Sequence, residues 1–206
     1  MAAAGLPPAR RRPIGSIGAV KAVMLEVPQA LLDQRRGAGL DKADEMWEGV
    51  LHMVPPPSGA HQRVSTRLLL VLAPLAVAAG LEPLQDATGL YAADDDWRVP
   101  DQQYVRPAHL SDRGSEGAEL VVEVLSPGDE TRDKLPWYAA AGVREVLLVD
   151  PHTYAVELHR LDAGRLSAVE PDPSGGVSSA VLGCTLKTTP DGVAVSWDGG
   201  EAIVRR

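Results

Sequence analysis

The chain has 206 residues, 45% hydrophobic and 23% charged, which suits a soluble globular domain with one sizeable core. A formal net charge of −8 excludes a protein that coats phosphates through overall basicity, although a local basic patch stays open. The single cysteine, Cys184, excludes an internal disulfide and a cysteine-based zinc cage, and reads as a small residue near a strand.

Residues 1–20, with small residues, prolines and the run Arg10-Arg11-Arg12, read as a disordered tail without an apolar stretch of signal-peptide length. Pro28 opens a short helix through Leu31, Leu32 and Gln34, which Gly37 and Gly39 break. "DEMWEGVLHMV" reads as a strand pair turning at Glu48-Gly49, and "PPPSG" as a stiff loop. Ser58 caps the next helix, "AHQRVSTRLLLVLAPLAVAAG". Val64, Leu68, Leu72 and Leu75 share one face of it. Pro74 should bend or shorten that helix, and Gly80 should end it. Its apolar part is too short and too interrupted for a membrane span.

Short strands follow near Glu82–Leu84 and Thr88–Tyr91. "DDDW" makes a turn, "RVPDQQYVR" enters a strand, and 111–117 is an acidic loop. "ELVVEVLSP" is a buried strand stopped at Ser126-Pro127. Thr131 starts a helix through Tyr138 and Ala141, closed by Gly142. "REVLLVDP" is another buried strand, "AVELHRL" alternates as an edge strand, and short β pieces such as "GVAVSW" finish the chain. The order predicts an α/β or α+β sheet with helices packed against it: a core over 21–161 and a β-rich extension over 162–206 packed on that core. The expected setting is the cytoplasm, with no membrane partner.

Glu123 stands inside the most apolar short strand, and a charged carboxylate there needs a partner. It faces solvent on an edge strand, pairs with a buried Arg or Lys, or binds a metal ion. Asp101, directly after Pro100, starts an earlier strand 22 residues before it. That spacing suits adjacent strands whose carboxylates converge on a hard cation such as Mg²⁺, completed by water and a phosphate oxygen. Lys134, 11 residues after Glu123, starts the next helix and can reach back to the strand end. Taken alone, Lys134 also reads as a solvated surface lysine.

Pro100-Asp101, then Glu123, then a lysine resembles the PD-(D/E)xK nuclease superfamily. "EVLSP" and "DKLPWYAAAGVREVLLVDP", with "PPPSGAHQ" upstream, are similar to the Uma-type family, a large bacterial group classed with the restriction endonucleases. The resemblance runs from about Asp44 to Leu161. It implies a restriction-endonuclease-like fold: a four-stranded mixed sheet flanked by helices, with an N-terminal hairpin. It also implies a phosphodiesterase using Mg²⁺ or Mn²⁺ on DNA. Asp101 and Glu123 would hold the metal, Lys134 would be the catalytic lysine, Glu45 would complete the metal shell, and His61 would stand near the site. Otherwise Glu45 is an exposed strand residue, and His61 a helix-start histidine bonded to the "PPPSG" loop. One departure stands out: the superfamily's usual lysine position, two after the Glu, holds Leu125, and Lys134 takes its place from the following helix.

Two other readings remain. One is a catalytically silent module of the same fold that binds nucleic acid or protein. The other is an unrelated hydrolase or small-molecule binder using Asp150 or His159. His52, His109, His152 and His159 have no metal-ligand spacing and read as surface or loop residues. No Gly-x-Ser-x-Gly and no Gly-rich phosphate loop is present. A homodimer is open through an apolar edge strand such as "AVELHRL".

Overall fold

The computed structural model describes residues 27–85, 87–126, 128 and 130–206. The tail expected over 1–20 lies outside the described residues, as does Pro127. In chain order the elements are α1 (Gln29–Gly37), β1 (Glu45–Trp47), β2 (Val50–His52), α2 (Gly59–Ala78), β3 (Glu82–Gln85), β4 (Gly89–Ala93), β5 (Asp96–Arg98) and β6 (Gln102–Val105). Then come β7 (Leu110–Ser111), β8 (Gly114–Ser115), β9 (Leu120–Val124), α3 (Leu135–Ala140), β10 (Glu145–Val149), β11 (Val156–Asp162) and β12 (Arg165–Ala168). Strands β13 (Gly176–Ser179), β14 (Cys184–Thr189), β15 (Gly192–Trp197) and β16 (Gly200–Arg205) close the chain.

The central sheet has six strands in the order β12-β11-β10-β9-β6-β3, two more than the resemblance implies. It is mixed: β9 and β10 run parallel, joined by the α3 crossover, and the other pairs are antiparallel. A second six-stranded sheet, β2-β1-β5-β4-β8-β7, carries the N-terminal hairpin, and β13 to β16 form a four-stranded meander. The loop expected over 111–117 contributes short strands to the second sheet. "AVELHRL" is not an edge strand. As β11 it pairs with β10 on one side and β12 on the other, so it offers no free ladder to another chain.

Strand β9 is buried on both faces, because two apolar layers cover it. Leu120, Val122 and Val124 join Val64, Leu68 and Leu72 of α2 in one cluster, which also takes in Leu186, Val195 and Val204 of the C-terminal meander. Val121 lies in the other cluster, with Tyr138 and Ala139 of α3, Val146 and Leu148 of β10, and Leu90 of β4. Leu75 is only partly buried, and Ala76 takes the next core position on α2.

Ser58 caps α2 by accepting a hydrogen bond from the His61 backbone N–H. Pro74 does not shorten the helix, which runs on to Ala78. Pro74 lies on the exposed side, as does Leu70, so the carbonyl that loses its donor falls on the solvent face. The β1–β2 turn places Glu48 and Gly49 at φ 48° and 84°, the left-handed pair that matches hairpin twist. The helix expected from Thr131 splits into a 3₁₀ turn, Thr131–Lys134, followed by α3, and Gly142 at φ 77° ends it. Among the described residues no helix is long and apolar enough to cross a membrane.

Candidate active site

Glu123 belongs to β9, and its face is set by the pairing with β6. Gln102 opposes Val122 and Gln103 opposes Val121, so continuing the register by one brings Asp101 opposite Glu123. Directly opposed residues on antiparallel strands stand side by side on one face. The Asp101 carboxylate bends back to the strand end, where its Oδ2 accepts the Val124 backbone N–H at 2.7 Å. The same Oδ2 meets His61 Nε2 at 3.1 Å. The Ser58 cap fixes the start of α2, and thereby the position of His61.

The Glu123 carboxylate uses one oxygen in the same way. Its Oε1 accepts the Lys134 ammonium at 3.1 Å and the Tyr138 hydroxyl at 2.6 Å. Among the described residues, neither Glu123 Oε2 nor Asp101 Oδ1 has a hydrogen-bond partner. Each carboxylate therefore keeps one oxygen tied and one oxygen spare.

Glu45 completes the cluster from the hairpin, with its side chain only 2% exposed. Its Oε1 accepts the Lys134 ammonium at 2.7 Å and the Val99 backbone N–H at 2.9 Å, and its Oε2 accepts the Trp47 indole N–H at 2.8 Å. Both oxygens are engaged, so Glu45 here anchors Lys134. It is not an exposed strand residue, and Lys134, 11% exposed, is not a solvated surface lysine.

The hairpin is clasped to α3 by a stack. The Arg98 guanidinium lies between the Trp47 and Trp137 rings, 4.5 and 4.4 Å from their centroids. His52 stacks on Trp47 at 4.1 Å and meets Glu130 at 3.0 Å. Of the other histidines, His159 is buried in β11 rather than at the surface.

The charges within the cluster explain its protonation. Burial pushes Glu123 up to about 7. Lys134 opposes that rise, and the charges of Asp101 and Glu45 add to it. Burial would lower Lys134, but Glu123 and Glu45 outweigh it and hold the ammonium charged. His61 is raised for the same reason: burial pulls it down, and its bond to Asp101 and the charges of Asp101 and Glu123 more than compensate. Tyr138 stays a phenol, pushed well up by burial and the neighbouring carboxylates. Away from the site, burial with Glu145 nearby pushes the Cys184 thiol up to about 12, so it is no nucleophile.

Five residues singled out in the sequence thus meet at one end of the central sheet: Glu45, His61, Asp101, Glu123 and Lys134. Among the described residues, no three of His, Cys, Asp and Glu stand at metal-ligand spacing. The donors still suit a hard divalent cation. Glu45 and Glu123 face one ammonium, Asp101 faces His61, and the opposed Asp101 and Glu123 hold spare oxygens. Sequence reading missed the roles of Tyr138 and Trp47. The Lys134–Tyr138 spacing of four was the available signal for the first, since it puts both on one side of a helix.

A family model described as "Uma2: Putative restriction endonuclease" matches residues 31–189. The chain belongs to the Uma2 family. Among solved structures it is similar to a "putative nuclease belonging to DUF820" from Anabaena variabilis ATCC 29413. That match has a TM-score of 0.56 and 17% identity, covering 69% of this chain and 84% of the other. At that identity the likeness speaks for the fold alone. No curated protein matches the chain. The departure noted at Leu125 has a structural counterpart: Lys134, farther along the chain, reaches Glu123 from the turn before α3.

Proposed function

We propose that this Uma2 protein is an endonuclease that hydrolyses DNA phosphodiester bonds with the aid of Mg²⁺ or Mn²⁺. The observation that carries the reading is the opposed pair Asp101 and Glu123, each with one oxygen tied and one spare, beside a buried lysine. Asp101 Oδ1 and Glu123 Oε2 are the atoms offered to the cation. Such an ion, when bound, lowers the pKa of an attacking water and neutralises charge on the phosphate. Without one, the three carboxylates outnumber Lys134, His61 offsets only part of that excess, and the remainder would repel a DNA backbone. That imbalance is a physical reason for metal dependence in a chain already at −8.

The chain's own residues have separable tasks. Asp101 and Glu123 present oxygens. Glu45 holds Lys134 at the site, where its charge can stabilise the pentavalent phosphate. His61 orients Asp101 from α2. The expectation that Glu45 joins the metal shell becomes the narrower proposal that it anchors Lys134, because both its oxygens are engaged. Cutting both strands calls for two sites, so a homodimer belongs to the proposal. Strands β12 and β3, the outer strands of the central sheet, replace β11 as candidate edges.

The test is cleavage of supercoiled plasmid by wild type, Glu123→Gln and Lys134→Met, each with Mg²⁺, Mn²⁺ or EDTA. Nicked or linear product only from wild type with metal supports the reading. Equal cleavage by Glu123→Gln rejects it.

A second reading, a catalytically silent module of the same fold, has one observation in its favour. Lys134 is bridged between the buried carboxylates of Glu45 and Glu123, as in a structural ion cluster. Tight DNA binding with no cleavage under any metal condition is its signature.

A further inference from the structure

Tyr138 is buried in the cluster formed by β9, β10 and α3, with no exposed surface. A hydroxyl buried there needs a hydrogen-bond partner, and which partner it takes is informative. The Tyr138 hydroxyl donates to Glu123 Oε1 at 2.6 Å. Lys134, one helical turn earlier, donates to the same oxygen at 3.1 Å. Both donors therefore converge on Oε1, and Oε2 is left without a partner among the described residues.

Asp101 repeats the pattern with different groups. The Val124 N–H and His61 Nε2 share its Oδ2, and Oδ1 is spare. A carboxylate whose donors gather on one oxygen is fixed in rotation and presents the other. Neighbours of this kind tune a metal ligand without touching the metal. A carboxylate serving only as a buried ion-pair partner, like Glu45, has both oxygens satisfied.

We infer that Tyr138 is a positioning residue: its hydroxyl locks the Glu123 carboxylate so that Oε2 is presented to a divalent cation. The inference rests on the cation-site reading proposed above. Lys134 is the less directional donor, because its ammonium is shared with Glu45 and sits on a flexible four-carbon stem. Tyr138 has two torsions and a packed ring, so its hydroxyl direction is set by the fold.

The experiment titrates Mn²⁺ alone into the full chain and follows free Mn²⁺ by electron paramagnetic resonance. Wild type, Tyr138→Phe and Tyr154→Phe are compared. Tyr154 is a second buried tyrosine whose hydroxyl has no partner among the described residues, so it controls for removing a buried hydroxyl. Circular dichroism on the same samples establishes that each is folded. The expected result is Mn²⁺ affinity weakened about 10- to 100-fold in Tyr138→Phe and unchanged in Tyr154→Phe. Affinity within twofold of wild type in folded Tyr138→Phe overturns the inference while leaving the cation site standing. Absence of binding by wild type itself overturns the cation-site reading, and this inference with it.

Discussion

Replacing Lys134 with Met keeps the stem and removes the charge. The ammonium bridges two carboxylates at 2.7 and 3.1 Å, whose side chains are 2% and 5% exposed. Removing one partner of a buried ion pair costs about 3–5 kcal/mol, because the remaining charge is left without compensation. Here the cost depends on pH, because Glu123 has an alternative. Its native value of about 7 lies above its ordinary 4.5, so the native state holds the proton more tightly than the unfolded chain. The stability this confers is fully present below about pH 4.5 and is lost as pH rises through about 7. Loss of the Lys134 charge pushes Glu123 higher still. At pH 6 the variant escapes most of the penalty by protonating Glu123, and the loss falls near the lower end of that range. At pH 8 more of the charge stays uncompensated, and the loss approaches the upper end. Urea unfolding of both proteins at pH 6 and pH 8, in EDTA, measures the difference directly. A loss below about 1 kcal/mol at both pH values is the signature of an exposed pair. It would refute the bridging geometry.

Other expectations follow from the same geometry. Glu123→Gln removes the group that titrates near 7, so the decline of wild-type stability between about pH 4.5 and 7 should flatten in urea melts. Asp101→Asn keeps an acceptor for the Val124 N–H but loses the charge, so the fold should survive while Mg²⁺-dependent cleavage falls at least tenfold. Leu68→Ala, at a fully buried position shared by α2, the central sheet and the C-terminal meander, should cost about 2–5 kcal/mol in the same unfolding assay. A cost near zero there would mean that the meander and the central sheet do not share a core.

Much of the architecture was legible because it rests on local chemistry. The Glu48-Gly49 turn, the Ser58 cap and the Gly142 stop each follow from one residue's backbone or side-chain preference. The convergence of Asp101 and Glu123 followed from spacing, since one hairpin-like return brings residues 22 apart to opposed register. What was not legible depends on long-range partners. "AVELHRL" alternates like an edge strand, but residues 165–168 cover its far side, and alternation alone cannot show that. Glu45 reads as exposed in a short hairpin. Only the packing of that hairpin on α3, through the Trp47–Arg98–Trp137 stack, buries it beside Lys134. Pro74 is tolerated because of which side of α2 it occupies, and that depends on where the sheets lie.

The central claim is that Asp101 and Glu123 together form a site for a divalent cation. Calorimetric titration of Mg²⁺ into wild type and into the double variant Asp101→Asn/Glu123→Gln, at pH 8, tests it most directly. One saturable site per chain is expected in wild type and none in the double variant, with both proteins folded. Binding that persists in the double variant would contradict it, and so would wild type that takes up no Mg²⁺.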